Sequence, residues 1–352
     1  MKKITVLVVD DSAFMRKVIS DIISIDEELQ VISTAKNGKE ALEKIKAVKP
    51  DVVTMDVEMP ILDGISALKQ IMEESPVPVV MLSSLTKEGA DATLRALELG
   101  AVDFITKPSN IFKMSNEEMK GQLTQKIKIA AKVNIRYKNL HKPLKNTSTA
   151  NKTAGPVENN KILKKIVAIG TSTGGPRALQ EVIPYLPQSL PASILIVQHM
   201  PPGFTKSLAE RLNNLSEVHV KEAEDEDILL PGHAYIAPGD YHMKVVSVGN
   251  TLKIKLSKDP PVSGHRPSVD ALMDSLADLH ASNIVGVIMT GMGADGANGM
   301  KNLKMQNCHT IAQNEESCVV YGMPKSAVNL GCIDDVVSLQ DIAKTITKVV
   351  GV

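Results

Sequence analysis

Tryptophan is absent from this 352-residue chain, and all its aromatic residues together make 3% of it. That scarcity argues against the aromatic platforms on which single-stranded nucleic acids stack. An excess charge of one sign is also missing. Forty basic side chains face 40 acidic ones, for a formal net charge of zero, so there is no global electrostatic footprint for nucleic acid. Cysteine is sparse. Cys308, Cys318 and Cys332 are odd in number and form no C-x-x-C pair, which favours reduced thiols in a cytoplasmic protein over a disulfide framework or a zinc site. Long apolar runs are lacking too. The opening "MKKITVLVVDDSAF" has an apolar run of only six residues before two aspartates, too short for a signal-peptide core. No segment approaches the roughly 18 apolar residues of a membrane span. A soluble, cytoplasmic protein is expected. What is present is a 43% hydrophobic chain, too long for one ordinary core, so two domains are expected.

Apolar runs and helical spacings alternate through residues 1–110. Strands are expected at Ile4–Val9, Gln30–Ser33, Asp51–Met55, Val77–Leu82 and Ala101–Ile105. Helical patterns lie between them, the first with Ser12 as its N-cap. Five strands separated by helices imply a doubly wound parallel sheet. A basic helical pattern follows from about Ser115 to Leu140, then "KPLKNTSTANKTAGPVENNK" (Lys142–Lys161), which reads as a flexible linker. Strands resume at Ile166–Ile169, Ser193–Val197, Ala234–Ala237, Tyr241–Val248, Thr251–Leu256, Ile284–Met289 and Thr310–Ala312. "VSVGNTLKI" signals a hairpin turning at Gly249-Asn250. The expected division is therefore 1–112, a linking segment 113–161, and a second α/β domain with an antiparallel insertion over 162–352.

In the first domain, Asp10 and Asp11 end the first strand, Asp56 the third, Ser83 the fourth and Lys107 the fifth. These ends line the crevice in which open parallel sheets bind ligands. Three carboxylates there repel one another without a cation, and an all-oxygen set suits Mg²⁺. An aspartate beside Mg²⁺ can accept a phosphoryl group. Ser83 could bond a phosphoryl oxygen and Lys107 could neutralise one. Pro108 follows directly, and such a bond can be cis. The pattern closely resembles the receiver domain of bacterial response regulators over about residues 1–110. The resemblance implies phosphorylation of Asp56 by a histidine kinase. It also implies Mg²⁺ held by Asp11, Asp56 and the backbone carbonyl of Glu58, with Asp10 assisting. Phe104 falls where such domains carry an aromatic switch residue, though packing alone accounts for it nearly as well.

In the second domain, "GTSTG" (Gly170–Gly174) fits G-x-S-x-G, a weak pattern by itself. Ser172 there could be a nucleophile, a phosphate ligand or a polar turn residue. "ILIVQHMPPGF" puts His199 just after another strand, and "VGVIMTGMGADGANGM" puts Asp295 in a glycine-rich loop after a third. A serine nucleophile needs a base, and the base needs a carboxylate. His233, His242 and His265 compete as bases, and Asp240, Asp259 and Asp270 as carboxylates. His199 ranks first for its strand-end position. The order Ser…His…Asp differs from that of α/β-hydrolases. Backbone N–H groups of Thr173 and of Gly291–Gly293 are candidate oxyanion donors. Ser268 reads as a helix N-cap, with His265 and Arg266 just before it either facing the site or exposed.

Together "GTSTGGP", "QHMPPGFT", "GHRPSVD" and "TGMGADGA", following a receiver-like half, resemble the CheB family of chemotaxis response-regulator protein-glutamate methylesterases. The resemblance implies hydrolysis of glutamate γ-methyl esters on cytoplasmic helices of chemoreceptors, with release of methanol, and deamidation of receptor glutamines, for sensory adaptation. It assigns Ser172 as nucleophile, His199 as base, Asp295 as orienter and Met292 as a backbone oxyanion donor. It further implies the kinase CheA as phosphodonor, Mg²⁺ for the receiver alone and no cofactor for ester hydrolysis. The membrane is approached only through receptors, and nucleic acid is not a partner. A receiver that packs over the cleft until phosphorylated is the expected control. A catalytically dead adaptor and a nucleotide-binding output are the competing function classes.

Overall fold

The computed structural model describes residues 2–107, 117–133 and 163–352. The chain divides into two compact units, Met1–Lys142 and Pro143–Val352. The Lys107-Pro108 bond, the linker Lys142–Lys161 and the end of the basic helix lie outside the described residues.

The first unit runs β1 (Ile4–Val9), α1 (Ala13–Ile25), β2 (Leu29–Ala35), α2 (Gly38–Val48), β3 (Val52–Asp56), α3 (Gly64–Glu74), β4 (Val79–Ser83), α4 (Lys87–Glu98), β5 (Asp103–Thr106) and α5 (Glu117–Ala130). Its strands are parallel in the order β2-β1-β3-β4-β5. Val6–Val9 of β1 are fully buried, as expected of a strand covered on both faces. Short polar side chains begin the helices. Ser12 accepts from the Met15 N–H, Asn37 from Glu40 and Asp63 from Ser66, each satisfying a donor that the first turn leaves free. Gly64 sits where a Cβ would lie 2.0 Å from the Asp56 carbonyl oxygen. Only glycine lets α3 start that close to the end of β3.

The second unit runs β6 (Lys165–Thr171), α6 (Gly175–Gln180), β7 (Ala192–Gln198), α7 (Phe204–Leu215), β8 (His219–Glu222), β9 (His233–Ile236), β10 (His242–Val248), β11 (Thr251–Ser257), α8 (Val269–Ala277), β12 (Ile284–Ile288), α9 (Ala297–Met305), β13 (His309–Gln313), α10 (Met323–Asn329), β14 (Asp335–Val337) and α11 (Leu339–Val350). Seven strands form a parallel sheet in the order β14-β13-β12-β6-β7-β9-β8. The antiparallel pair β10–β11 stands apart from it and turns at Gly249-Asn250, with Gly249 at a positive φ of 61°. The apolar core includes Ile166, Leu195, Val197, Val269, Leu272, Ile288 and Met300, all buried. The sheet extends beyond expectation by β8 and β14. Both are edge strands of four and three residues, only partly buried, and so carry little of the apolar patterning that marks a strand. Among the described residues, no helix is long and apolar enough to cross a membrane.

β6 comes first in the second unit, yet it lies between β7 and β12. The chain proceeds to one side of β6 and later returns to the other. The carboxyl end of β6 is thus the topological switch point, where open α/β sheets form their crevice.

Candidate active site

In the first unit, the β1–β3 register sets Val9 opposite Met55, which brings Asp10 and Asp56 side by side just beyond. Carboxylate oxygens of Asp10, Asp11 and Asp56 all lie within 4.8 Å of one another. Asp10 is fully buried and Asp56 nearly so, while Asp11 is exposed. The Lys107 ammonium bridges Asp10 and Asp56, at 2.7 Å from each. Burial raises the Asp56 carboxyl to about 6; the charge and hydrogen bond of Lys107 oppose it, and the Asp10 and Asp11 charges add to it. Three clustered carboxylates with one ammonium between two of them, and oxygen donors only, fit a hard divalent cation such as Mg²⁺. Glu58 follows two residues after Asp56 and is exposed. Ser83 is fully buried, and its hydroxyl donates to the carbonyl oxygens of Gly89 (3.0 Å) and Ser84 (3.3 Å). Phe104 is buried on β5 with the Lys126 ammonium 5.3 Å from its ring centroid. Arg16 was not anticipated. Its guanidinium holds the carbonyl oxygens of Asp10 (2.8 Å) and Asp11 (3.0 Å) and fixes the loop that carries them.

In the second unit, β6 and β7 pair in the register Thr171↔Gln198, so the next positions are Ser172 and His199. Both are tied to neighbouring strands. The His199 N–H donates to Thr171 O (3.2 Å), and the Ser172 N–H to Thr290 O (3.0 Å) beyond β12. The turn after Ser172 is sharp. Gly174 takes φ +78°, and the Gly175 N–H closes back on Ser172 O (2.8 Å). A Cβ at Gly291 would lie 2.9 Å from Ser172 Cβ, so the loop after β12 runs directly against the serine.

His199 and Asp295 meet. Nε2 of the imidazole lies 2.7 Å from Asp295 Oδ2, and Nδ1 is buried with no hydrogen-bond partner. Asp295 is buried and accepts three more hydrogen bonds, all from the start of α8: Ser268 Oγ (2.7 Å), Val269 N (2.7 Å) and Asp270 N (3.1 Å). Burial alone would raise this carboxyl. The hydrogen bond and charge of His199, with the N–H groups of Val269 and Asp270, outweigh burial and hold it at about 2. An anion at a helix N-terminus is electrostatically favoured. Ser268 caps the helix as expected, accepting from Ala271 N; its second bond, to Asp295, had no sequence signal.

The competing residues are placed elsewhere. His233 lies at the opposite end of β9 and contacts Pro231 O, and His242 contacts Pro260 O. Asp240 is paired with Arg266 and Asp259 with Lys244. Burial raises Asp270 to about 6, against the opposing Gly299 N–H and with added repulsion from Asp295 and Asp274. His265 is different: its ring stacks on that of His199. Two glutamines were also missed. Gln198 donates to Ser172 O (3.0 Å), and Gln313 accepts from Thr290 N (2.8 Å) while donating to Ser317 O (2.8 Å). Each is the last residue of a buried strand, directly after an apolar run, Ile194–Val197 for Gln198 and Ile311-Ala312 for Gln313, the one feature by which they could have been found. Thr173 is buried, and its carbonyl accepts from Thr290 Oγ1 (2.9 Å). Met292 is half-buried, and among the described residues no oxygen accepts from its N–H. The three cysteines are free, and burial pushes the Cys318 thiol up to about 12, which makes it a poor nucleophile.

Residues 167–346 match the family model for CheB methylesterase, and residues 6–117 that for the response regulator receiver domain. The chain belongs to the CheB methylesterase family. It is 50% identical over 346 residues to a protein-glutamate methylesterase/protein-glutamine glutaminase of Halalkalibacterium halodurans, covering 98% of each chain. It is 48% identical to the protein of that name from Salmonella typhi, over 98% of this chain and 96% of the relative. The crystal structure of the Thermotoga maritima CheB methylesterase catalytic domain superimposes with a TM-score of 0.52 at 46% identity, over 52% of this chain and 97% of that one. CheB family membership and the receiver-plus-esterase folds expected from the motifs therefore agree.

Proposed function

We propose that this chain is a phosphorylation-activated esterase of chemoreceptors. It removes methyl groups from glutamate γ-methyl esters, releasing methanol, and deamidates receptor glutamines, in the service of sensory adaptation. The observation that carries the reading is the engagement of His199 by Asp295 through Nε2 at 2.7 Å, with Nδ1 buried and unpartnered. Nδ1 is then the nitrogen that receives the Ser172 proton.

Ser172 Oγ bonds to the ester carbonyl carbon as its proton passes to His199 Nδ1. The imidazolium is stabilised by Asp295. The backbone N–H of Met292, with that of Thr173, meets the developing oxyanion. The C–O bond to the methoxy group breaks, and methanol leaves with the proton. Water then repeats the sequence on the acyl-serine, which returns the hydroxyl of Ser172 and leaves a glutamate. A glutamine follows the same course with ammonia as the leaving group.

In the receiver, Asp56 accepts the phosphoryl group, with the histidine kinase CheA as donor. Asp10, Asp11, Asp56 and the Glu58 carbonyl would hold Mg²⁺, which supplies charge neutralisation for phosphoryl transfer. Lys107 and Ser83 contact the phosphoryl oxygens. The setting is cytoplasmic, with the membrane reached only through receptors.

The test is methanol release from methylated receptor membranes by wild type, Ser172→Ala and Asp56→Asn, each with and without Mg²⁺ and a small phosphodonor. The reading expects release that needs Ser172 and rises with phosphodonor only when Asp56 is present. No release from a folded, phosphorylated wild type would refute it.

A further inference from the structure

The imidazole of His199 is held at its edge by one hydrogen bond, to Asp295. One hydrogen bond fixes a point on the ring but not its plane, because rotation about χ2 of histidine is broad and soft. The plane is covered by His265. The two ring centroids are 3.8 Å apart and the planes differ by 13°, so one imidazole lies flat against the other.

The backbone that carries His265 is held from several sides. Val262 and His265 exchange both backbone hydrogen bonds, at 3.1 and 2.9 Å. The two residues between them, Ser263 and Gly264, take positive φ of 53° and 79°, the conformation of a tight two-residue turn. Next in the chain, Arg266 donates twice to Asp240 Oδ1 (3.1 and 2.5 Å) and to the carbonyl oxygens of Lys258 (3.2 Å) and Asp259 (3.1 Å). The Asp240 N–H returns a bond to Arg266 O (3.2 Å). Residues 268–270 then supply the three donors that hold Asp295. One six-residue segment, 265–270, thus covers the face of the His199 ring and fixes the carboxylate at its edge.

We propose that His265 is a positioning residue, whose stacked ring sets the plane of His199 so that Nδ1 is aimed at Ser172. The inference rests on the Ser172–His199–Asp295 reading above. It assigns no proton transfer to His265, only the flat surface of its ring. Orientation errors of this kind act on the reacting complex more than on substrate binding.

The full-length chain would be assayed for methanol release from methylated receptor membranes, with kcat and KM determined for wild type, His265→Ala, His265→Phe, His265→Gln and Asp240→Ala. Expected is a fall in kcat of about 10- to 100-fold for His265→Ala with KM within about twofold. His265→Phe restores most of kcat and His265→Gln does not, since phenylalanine keeps a flat ring without polar atoms. In ¹⁵N spectra, the His199 ring resonances sharpen again in the Phe variant after broadening in the Ala variant. Should His265→Ala fail to fold, Asp240→Ala tests the same point, because it keeps the ring while loosening its clamp; a several-fold loss of kcat is expected. The proposal is overturned if kcat of a folded His265→Ala stays within twofold of wild type, or if Gln rescues and Phe does not. Ser172→Ala is run alongside: if that variant retains activity, the underlying triad reading fails, whatever His265 does.

Discussion

Replacing Asp295 by asparagine tests the site most directly, because the outcome follows from counting hydrogen bonds. The carboxylate accepts four: Oδ1 from Ser268 Oγ and Asp270 N, and Oδ2 from Val269 N and His199 Nε2. An asparagine amide has one acceptor oxygen and one NH₂ group that only donates. If the oxygen faces Ser268 and Asp270, the NH₂ faces the Val269 N–H and His199 Nε2. The Val269 donor is orphaned, and His199 must accept at Nε2, which puts its own proton on Nδ1, where the Ser172 proton should go. If the amide is reversed, the imidazole keeps its tautomer, but the Asp270 N–H meets another donor. In either orientation a buried backbone donor at the start of α8 loses its partner, at about 1–3 kcal/mol. The first orientation also disables the base, for which a loss of about 10⁴-fold in kcat is the appropriate scale. The assay is methanol release by Asp295→Asn against wild type, with urea unfolding for stability and ¹⁵N shifts of His199 for the tautomer. A folded Asp295→Asn protein whose His199 carries its proton on Nδ1, yet which retains more than about a tenth of wild-type kcat, would refute the assignment of His199 and Asp295 as a working pair.

The remaining predictions are structural. Asp295 is held at about 2 against an ordinary value of 3.8, so it contributes about 2 kcal/mol of stability above pH ~4, lost as pH falls toward 2. The difference in urea midpoint between wild type and Asp295→Asn should therefore shrink between pH 5 and 3; a widening difference would contradict the sign. At Gly175 a Cβ would lie 2.0 Å from Gln198 Oε1 and 2.3 Å from Thr171 Oγ1. Gly175→Ala should destabilise the protein by about 1–3 kcal/mol and lower methanol release, because Gln198 also holds the Ser172 carbonyl. Unchanged thermal unfolding in that variant would mean that the corner is looser than its geometry implies.

Much of this was legible because parallel sheets make it so. Strands buried on both faces read as continuous apolar runs, and functional residues collect just past their carboxyl ends. Asp10, Asp56, Ser172 and His199 all occupy such positions, as does Asp295 one loop further on. What could not be read depends on neighbours that sequence does not reveal. Nothing in "GHRPSVD" tells that His265 lies on His199, since the two are brought together by the turn at Ser263-Gly264 and the clamp on Arg266. Which nitrogen of His199 meets Asp295 is set by side-chain rotation. The buried orientation of Ser83 toward Gly89 is likewise a rotamer, not a spacing. The edge strands β8 and β14 escaped because short, half-exposed strands lack the periodicity by which strands are found.

The position of β6 bears on how the protein comes into being at the ribosome. Ser172 and His199 emerge early in the second unit, but the carboxylate that meets the imidazole lies 96 residues beyond it, past β12, the strand that flanks β6 on the side away from β7. A nascent chain holding only β6 and β7 has a serine and a histidine in register but neither the carboxylate nor the glycine-rich loop against the serine. On the proposed reading, a site made of Ser172, His199 and Asp295 is therefore complete only once β12 and the loop after it have joined β6.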